Sequence, residues 1–588
     1  MARRGFTIIF TLLAVALIVS IAGFALLYLV LGREPAVPGN AVLVLRVGGN
    51  LTELAPADVV GYLRGVKSPT VRSIVDDLRK AKVDPRIRAV LLKPTGFDSP
   101  FWGKVQEIRD AVLDFRKSGK LVYAYLEFGG DREYYLATAA DKVFLMPSST
   151  VDLSGVATYE LFLRGTLDKI GVYPDLHHIG DYKTASNTFT EKGYTAAHKE
   201  MDESLNRDIY EQLVRGIADG RKKNEAEIRR LIDQGPFLPE EALRGGLVDD
   251  VVYEDQVNDK LGIGRDDRHV DGDDYARVSL SSVGLNKGPR IAVIYASGTI
   301  NSGKSGYDPV NGAIAGSDTL NEYIRQVRRD RSVRAIVLRI DSPGGSASAS
   351  DAIWRELMLA RNERSDRPLI ASMSDLAASG GYYIAMPAQV IVAQPSTLTG
   401  SIGIFGGKFV TGGVYEKLGA RIESTSIGRH AEISSPARPY NPEEVKKLGQ
   451  QLQAFYDQFV EKVADSRHTQ PEKIDALAQG RVWTGRQAKE NGLVDQLGGL
   501  DRAIALAKQR AKIPLDSDVE LVAYPPRKSL YELVSEQFSG SGEQLAVSTW
   551  MAANLTKGEL EALRMLRGPE AIFHRGEPLA LMPFTFLR

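Results

Sequence analysis

The stretch Ser374–Ala385, SDLAASGGYYIA, sets Ser379 among alanines and glycines. Side chains this small let an acyl group come close to the backbone, which an attacking hydroxyl requires. A hydroxyl also needs a base. The chain has no cysteine and seven histidines, none of them near Ser379 in sequence. A lysine can serve instead if it is uncharged, so its pKa of ~10.4 must fall by several units, which burial among apolar groups can do. Ser–Lys pairs are an established variant of nucleophilic catalysis. The stretch RAIVLRIDSPGGSASAS adds a second element, a strand running through a tight turn into a helix. Gly344 and Gly345 can adopt backbone angles closed to other residues. Their N–H groups, with that of Gly380, are then free to stabilise a developing oxyanion. Ser401, in TLTGSIGIFG, is placed to orient a neutral lysine.

An internal duplication indicates which lysine. DREYYLATAADKVFLMPSSTVDLSGV, from Asp131, matches SGGYYIAMPAQVIVAQPSTLTGSIGI, from Ser379, at a displacement of 248. DPRIRAVLLK matches DRSVRAIVLR, and GLVDD from Gly246 matches GLVDQ from Gly492. So long a period marks a duplicated domain rather than a solenoid. The halves run over 35–285 and 286–515. At the displacement of 248, Lys183 in HIGDYKTASNTFT falls on Ala431, and Ser379 falls on Asp131. The first half has the lysine without the serine, and the second has the serine without the lysine. Such complementary losses are expected of one site assembled across the two halves, and fusion of the copies at high effective concentration favours both coming from one chain. The first half also lacks the Gly-Gly turn, having LLKPTGFDS in its place.

The elements that must position these residues read as α/β in each half. AVLVLRV, RAVLLK, RIAVIYA and RAIVLRI are near-continuous apolar runs of the kind found in buried parallel sheet. Each half then carries a long amphipathic helix, HKEMDESLNRDIYEQLVRGIADGRKK and EEVKKLGQQLQAFYDQFVEKVADSRH. Residues 516–588 form a C-terminal extension without a mate in the first half. It ends in LALMPFTFLR, which is suited to packing on the body or touching a membrane.

From Gly5 to Gly32 there is no charged residue, a length that can span a bilayer core of ~30 Å. Residues 1–34 therefore read as an uncleaved N-terminal transmembrane anchor. Arg3 and Arg4 before the span keep the N-terminus cytoplasmic and place the catalytic body on the other side. The remaining composition is that of an ordinary globular protein, with Lys plus Arg equal to Asp plus Glu at 74 each. No basic field suggests a nucleic-acid partner. The basic run GRKKNEAEIRRL has interleaved acids and reads as a solvated helix face. No metal motif, phosphate loop or dinucleotide fingerprint appears, so no cofactor is expected.

In DSPGGS, AASGGYYIA, TGSIGIFG and GDYKTA the chain resembles the long form of the signal peptide peptidase A family, membrane-anchored serine proteases of the Clp-protease/crotonase superfamily. The resemblance covers about residues 40 to 515. It implies two tandem Clp-protease/crotonase-like domains, with Ser379 as nucleophile, Lys183 as general base and Ser401 assisting. Gly345 and Gly380 match the oxyanion hole. It further implies apolar peptide substrates, signal peptides among them, and a bowl-shaped homotetramer in the bacterial inner membrane with a periplasmic body. Three rival readings are weaker. A crotonase-like acyl-CoA enzyme would have no reason to divide a serine and a lysine between repeats. A Ser-His-Asp protease using His430 fails in register, because His430 falls on Tyr182 rather than Lys183. A non-catalytic membrane scaffold suits the first half alone.

Overall fold

The computed structural model of the chain describes residues 34–54, 70–263, 268–308, 312–526, 578–582 and 586–587. The apolar run Gly5–Gly32 lies outside these residues. Among the described residues no helix is long and apolar enough to cross a membrane.

Each half is built on a parallel sheet. In the first the order is His269–Asp271, Ala41–Gly49, Ile87–Phe97, Leu121–Leu126, Lys142–Leu145 and Asp250–Val251. The second follows the same path through Glu520–Tyr524, Arg290–Ser297, Val333–Ser342, Leu369–Ala378, Val390–Ala393 and Gln496–Leu497. Every pairing along both paths is parallel. The central strands are apolar on both faces because helices cover both sides, so they lack the alternation of a half-exposed strand. The match corrects one expectation. Glu520–Tyr524, in the extension, does have a mate in the first half, the strand His269–Asp271.

The two long helices form as their sequences predict, over Ala196–Arg221 and Pro442–Ser466. Thr195 caps the first, and Asn441 with Glu444 makes a capping box on the second. The first buries Met201, Leu205, Ile209 and Leu213, one stripe at helical spacing. This helix also reaches across to the other half. Its Asp208 accepts hydrogen bonds from Thr484 Oγ1 at 2.6 Å and Arg486 Nε at 2.7 Å.

A third sheet joins the halves outright. Tyr173–Ile179 of the first half pairs antiparallel with Ile404–Val410 of the second, from Ile179↔Ile404 to Tyr173↔Val410. Leu579–Leu581 of the extension lies next in this sheet, followed by Gly344–Ser346. Leu579–Leu581 of the extension therefore packs on the body.

A buried charge cluster lies on the same interface. Arg339, 1% exposed, leaves the second-half sheet and meets two first-half carboxylates. Its Nε and Nη2 each donate to Glu53 at 2.8 Å, and Nη2 donates to Glu107 at 2.7 Å. Ser372 and Ser374 also accept from the guanidinium. Burial pushes both carboxyls up. At Glu53 the charge and hydrogen bonds of Arg339 overrule it and hold the pKa at about 2, while at Glu107 burial prevails. Nearby, Lys104 Nζ bridges to Asp341 at 2.7 Å, and its backbone N–H donates to Asp375 at 2.9 Å.

Removing one partner from a buried ion cluster strands the others without solvent or counter-charge, at a cost of roughly 3–5 kcal/mol. Arg339→Leu is therefore expected to destabilise the protein by about that much in urea denaturation. Replacing the cluster together (Arg339→Met, Glu53→Leu, Glu107→Gln) should recover most of the loss. Equal stability of wild type and Arg339→Leu would remove this cluster from the forces holding the halves together.

Candidate active site

Ser379 stands where the strand Leu369–Ala378 turns into the helix Gly380–Ala385. Its backbone has φ 54° and ψ −112°, a conformation costing on the order of 1–3 kcal/mol for a residue with a side chain. Flanking bonds hold it there. Its N–H donates to Gly400 O at 2.8 Å, and its carbonyl accepts from Tyr383 N–H at 2.8 Å. The glycines after it are required by space. A Cβ on Gly380 would stand 2.6 Å from Ser350 Oγ, and one on Gly381 2.7 Å from Ser342 O.

Lys183 arrives from the other half. It lies four residues beyond the strand Tyr173–Ile179, and Ser401 lies three before the strand Ile404–Val410. The antiparallel pairing of those strands brings the two residues together. Lys183 Nζ is 2.7 Å from Ser379 Oγ and 3.0 Å from both the carbonyl oxygen and Oγ of Ser401. Lys183, Ser379 and Ser401 are all 0% exposed. Burial pushes the Lys183 amine well below the usual lysine range. A neutral amine has two N–H donors and one lone pair. With both donors satisfied by Ser401, the lone pair is left for the Ser379 hydroxyl proton.

The turn Gly344–Gly345 lies against Ser379. Gly344 has φ 101°, and a Cβ there would come within 2.8 Å of Gly380 N. A Cβ on Gly345 would stand 2.1 Å from Ile300 O. The N–H groups of Gly345 and Gly380 thus belong to one small region beside the serine. His430 sits in a turn in which its carbonyl accepts from Ile433 N–H, and no hydrogen bond joins it to Ser379. Ala431, the repeat mate of Lys183, lies in the same turn region. Asp131, the mate of Ser379, accepts from Ser154 and Gly155 N–H at 3.1 Å, and burial pushes its pKa up to about 6.

Sequence reasoning missed the segment Gln479–Arg481, which wedges between the two halves of the site. Gln479 O accepts from Tyr182 N–H, Gly480 N–H donates to Ile402 O, and Arg481 O accepts from Ser401 N–H. Gly480 has φ 80°, and a Cβ there would lie 2.4 Å from Lys183 Cα. Only a glycine lets the lysine backbone in so close. The signal was present in the repeat, where Gln234–Gly235 answers Gln479–Gly480.

Comparison with known proteins agrees with this two-half arrangement. Peptidase family S49 matches twice, over residues 114–266 and 361–514. Serine protease SPPA, chloroplastic, of Arabidopsis thaliana is 40% identical over 465 residues, covering 78% of this chain and 68% of that protein. Protease 4 of Salmonella typhi is 34% identical over 518 residues, covering 84% and 82%. A putative signal peptide peptidase SppA of Enterococcus faecium is 32% identical over 228 residues, 37% of this chain and 65% of its own length. With two S49 domains in tandem, and with relatives at this identity along most of its length, the chain belongs to peptidase family S49 and is a serine protease.

Proposed function

We propose that this protein is a membrane-anchored endopeptidase working through a Ser379–Lys183 dyad on signal peptides and other apolar membrane peptides. The observation that carries the reading is the 2.7 Å approach of a fully buried lysine amine to the Ser379 hydroxyl. Ser379 Oγ attacks the scissile carbonyl while its proton passes to Lys183 Nζ. Ser401 holds the amine through the transfer. The N–H groups of Gly345 and Gly380 receive the charge that grows on the carbonyl oxygen. Lys183 then gives the proton to the leaving amine. Water, deprotonated by the same lysine, attacks the acyl ester, and the lysine returns that proton to Ser379 Oγ as the ester bond breaks and the acyl half leaves as a carboxylic acid. Gly5–Gly32 supplies the membrane span, with the N-terminus in the bacterial cytoplasm and the body in the periplasm, and the protein assembles as a homotetramer.

Ser379→Ala is expected to reduce peptide hydrolysis by several orders of magnitude with the fold intact, since a nucleophile is lost but little volume. Lys183→Arg should be as inactive as Lys183→Ala, because an arginine stays protonated at any working pH. His430→Ala should retain activity. Peptide turnover by these four variants is the test, and near-normal rates in Lys183→Arg would sink the dyad.

The protonated lysine is the inactive form. With its pKa depressed, kcat/KM should rise with pH through that pKa and level off at neutral to alkaline pH. A profile that instead falls over that range would exclude a lysine base.

The same burial has a stability cost of known sign. Between the folded and unfolded pKa of Lys183 the unfolded chain binds the extra proton, so folding stability rises with pH by about 1.4 kcal/mol per unit for this group. Lys183→Met carries no such burden. It should be inactive but more stable than wild type at pH 7, with the gap narrowing toward pH 10, as read from denaturation midpoints across that range.

A further inference from the structure

The long helix Ala196–Arg221 opens on a buried histidine that the proteolytic site does not use. His198 is 1% exposed, and neither of its ring nitrogens has a hydrogen-bond partner. A neutral imidazole carries one N–H and one lone pair, and a histidine packed in a core ordinarily satisfies at least one of them. Asp202 stands four residues on, on the same face of the helix, and is 5% exposed. Its Oδ2 is 3.7 Å from His198 Nε2, beyond hydrogen-bond length, and its Oδ1 has no partner. Glu160 reaches the same point from a different segment, directly after the strand Thr158–Tyr159. One ligand atom of each of the three lies within 4.8 Å of the other two, the one such group among the described residues.

The surroundings are built as those of a ligand set. The rings of Tyr194 and Phe162 stand edge-on to the imidazole, with centroids 5.0 and 6.0 Å away, and fix its plane. Tyr194 Oη donates to Asp202 Oδ2 at 3.1 Å, the kind of outer hydrogen bond that orients a ligating carboxylate. Thr158 Oγ1 donates to Asn206 Oδ1 at 2.6 Å, so the segment that carries Glu160 is already tied to this helix one turn further along. A cation ~2.0–2.2 Å from each ligand atom needs those atoms about 3.3 Å apart, a contraction that side-chain rotation can supply. Magnesium and calcium favour oxygen ligands, whereas one imidazole nitrogen with two carboxylates suits zinc and its first-row neighbours.

We propose that Glu160, His198 and Asp202 bind one divalent transition cation of the zinc class, with water completing its coordination. The cation clips the segment that follows Thr158 to the start of the long helix. Two residues beyond His198, Glu200 accepts hydrogen bonds from Arg481 Nη1 and Nη2 at 3.1 and 2.8 Å, and the carbonyl of Arg481 accepts from Ser401 N–H. The clip therefore steadies the helix end on which the segment beside Lys183 is anchored. No local motif announces the site, because Glu160 lies 38 residues before His198. Neither Lys183 nor Ser379 is a ligand, so the assignment does not depend on the dyad.

The test uses full-length protein purified in detergent without a histidine tag, stripped with EDTA and titrated with zinc chloride against a chromophoric chelator. Wild type is expected to bind one equivalent. His198→Gln and Asp202→Asn, each close in size to the residue replaced, should weaken binding at least about tenfold, while His430→Ala binds as wild type does. No zinc on wild type overturns the proposal, and the cage then holds water. Equal affinity in wild type, His198→Gln and Asp202→Asn also overturns it, leaving an adventitious ion only. A second measurement needs no substitution and decides the matter should the variants fail to fold. X-ray absorption at the zinc edge of wild type holding one equivalent should show a single imidazole among oxygen ligands. Any other number of imidazoles overturns the assignment, as does displacement of the zinc by excess magnesium.

Discussion

An amine that has to stay uncharged in a dry pocket governs how this chain is put together. Lys183 has no carboxylate beside it, and a counter-ion there would restore its proton and so remove the base that the proposed dyad requires. Dryness is supplied by the other half, through Gly403 and Gly480, each in close approach to the lysine or its backbone, and through the strand Ile404–Val410, which pairs with the strand leading to it. Polar support comes from a single residue, Ser401, itself in a left-handed conformation with φ 49°. The interface between the halves is thus both the wall of the site and the source of its chemistry. The charged cluster around Arg339 and the hydrogen bonds that Thr484 and Arg486 donate to Asp208 hold that wall in place.

Much of this was legible in the sequence because the chain carries its own comparison. The displacement near 248 aligns strand with strand, so the two parallel sheets and the two long helices could be read from apolar runs and caps. It also exposed the complementary losses at Lys183/Ala431 and Asp131/Ser379, which pointed to a divided site. The third sheet could not be read this way. Tyr173–Ile179 and Ile404–Val410 pair across the duplication, more than 200 residues apart, and no local pattern records such a partner. Arg339 was hidden for a related reason. Inside RAIVLRI it interrupts an apolar run, and its burial makes sense only once Glu53 and Glu107 arrive from the other half.

Gly480 and the C-terminal strand show two further limits. A Gln-Gly pair in each half was visible, but its meaning, a glycine that admits a lysine backbone, depends on a contact 297 residues away in sequence, 480 against 183. LALM in the extension reads as a short apolar run suited to many surfaces. Its seat between two strands depends on both strands leaving an unpaired edge, a property of the assembled sheet rather than of the four residues. The strained Ser379 is a milder case. Its small neighbours announce close approach, while the φ of 54° emerges only from the bonds to Gly400 and Tyr383.

The division of the site between halves has a consequence for the order of synthesis. A ribosome delivers Lys183 first, and a complete first domain can fold before Ser379 has been made. That domain has no nucleophile, since Asp131 stands in its place. On the proposed dyad, a partly made second domain has the serine but no base until its strand Ile404–Val410 docks on Tyr173–Ile179. With that dyad, proteolytic competence appears only when translation has passed both halves and they have closed on each other.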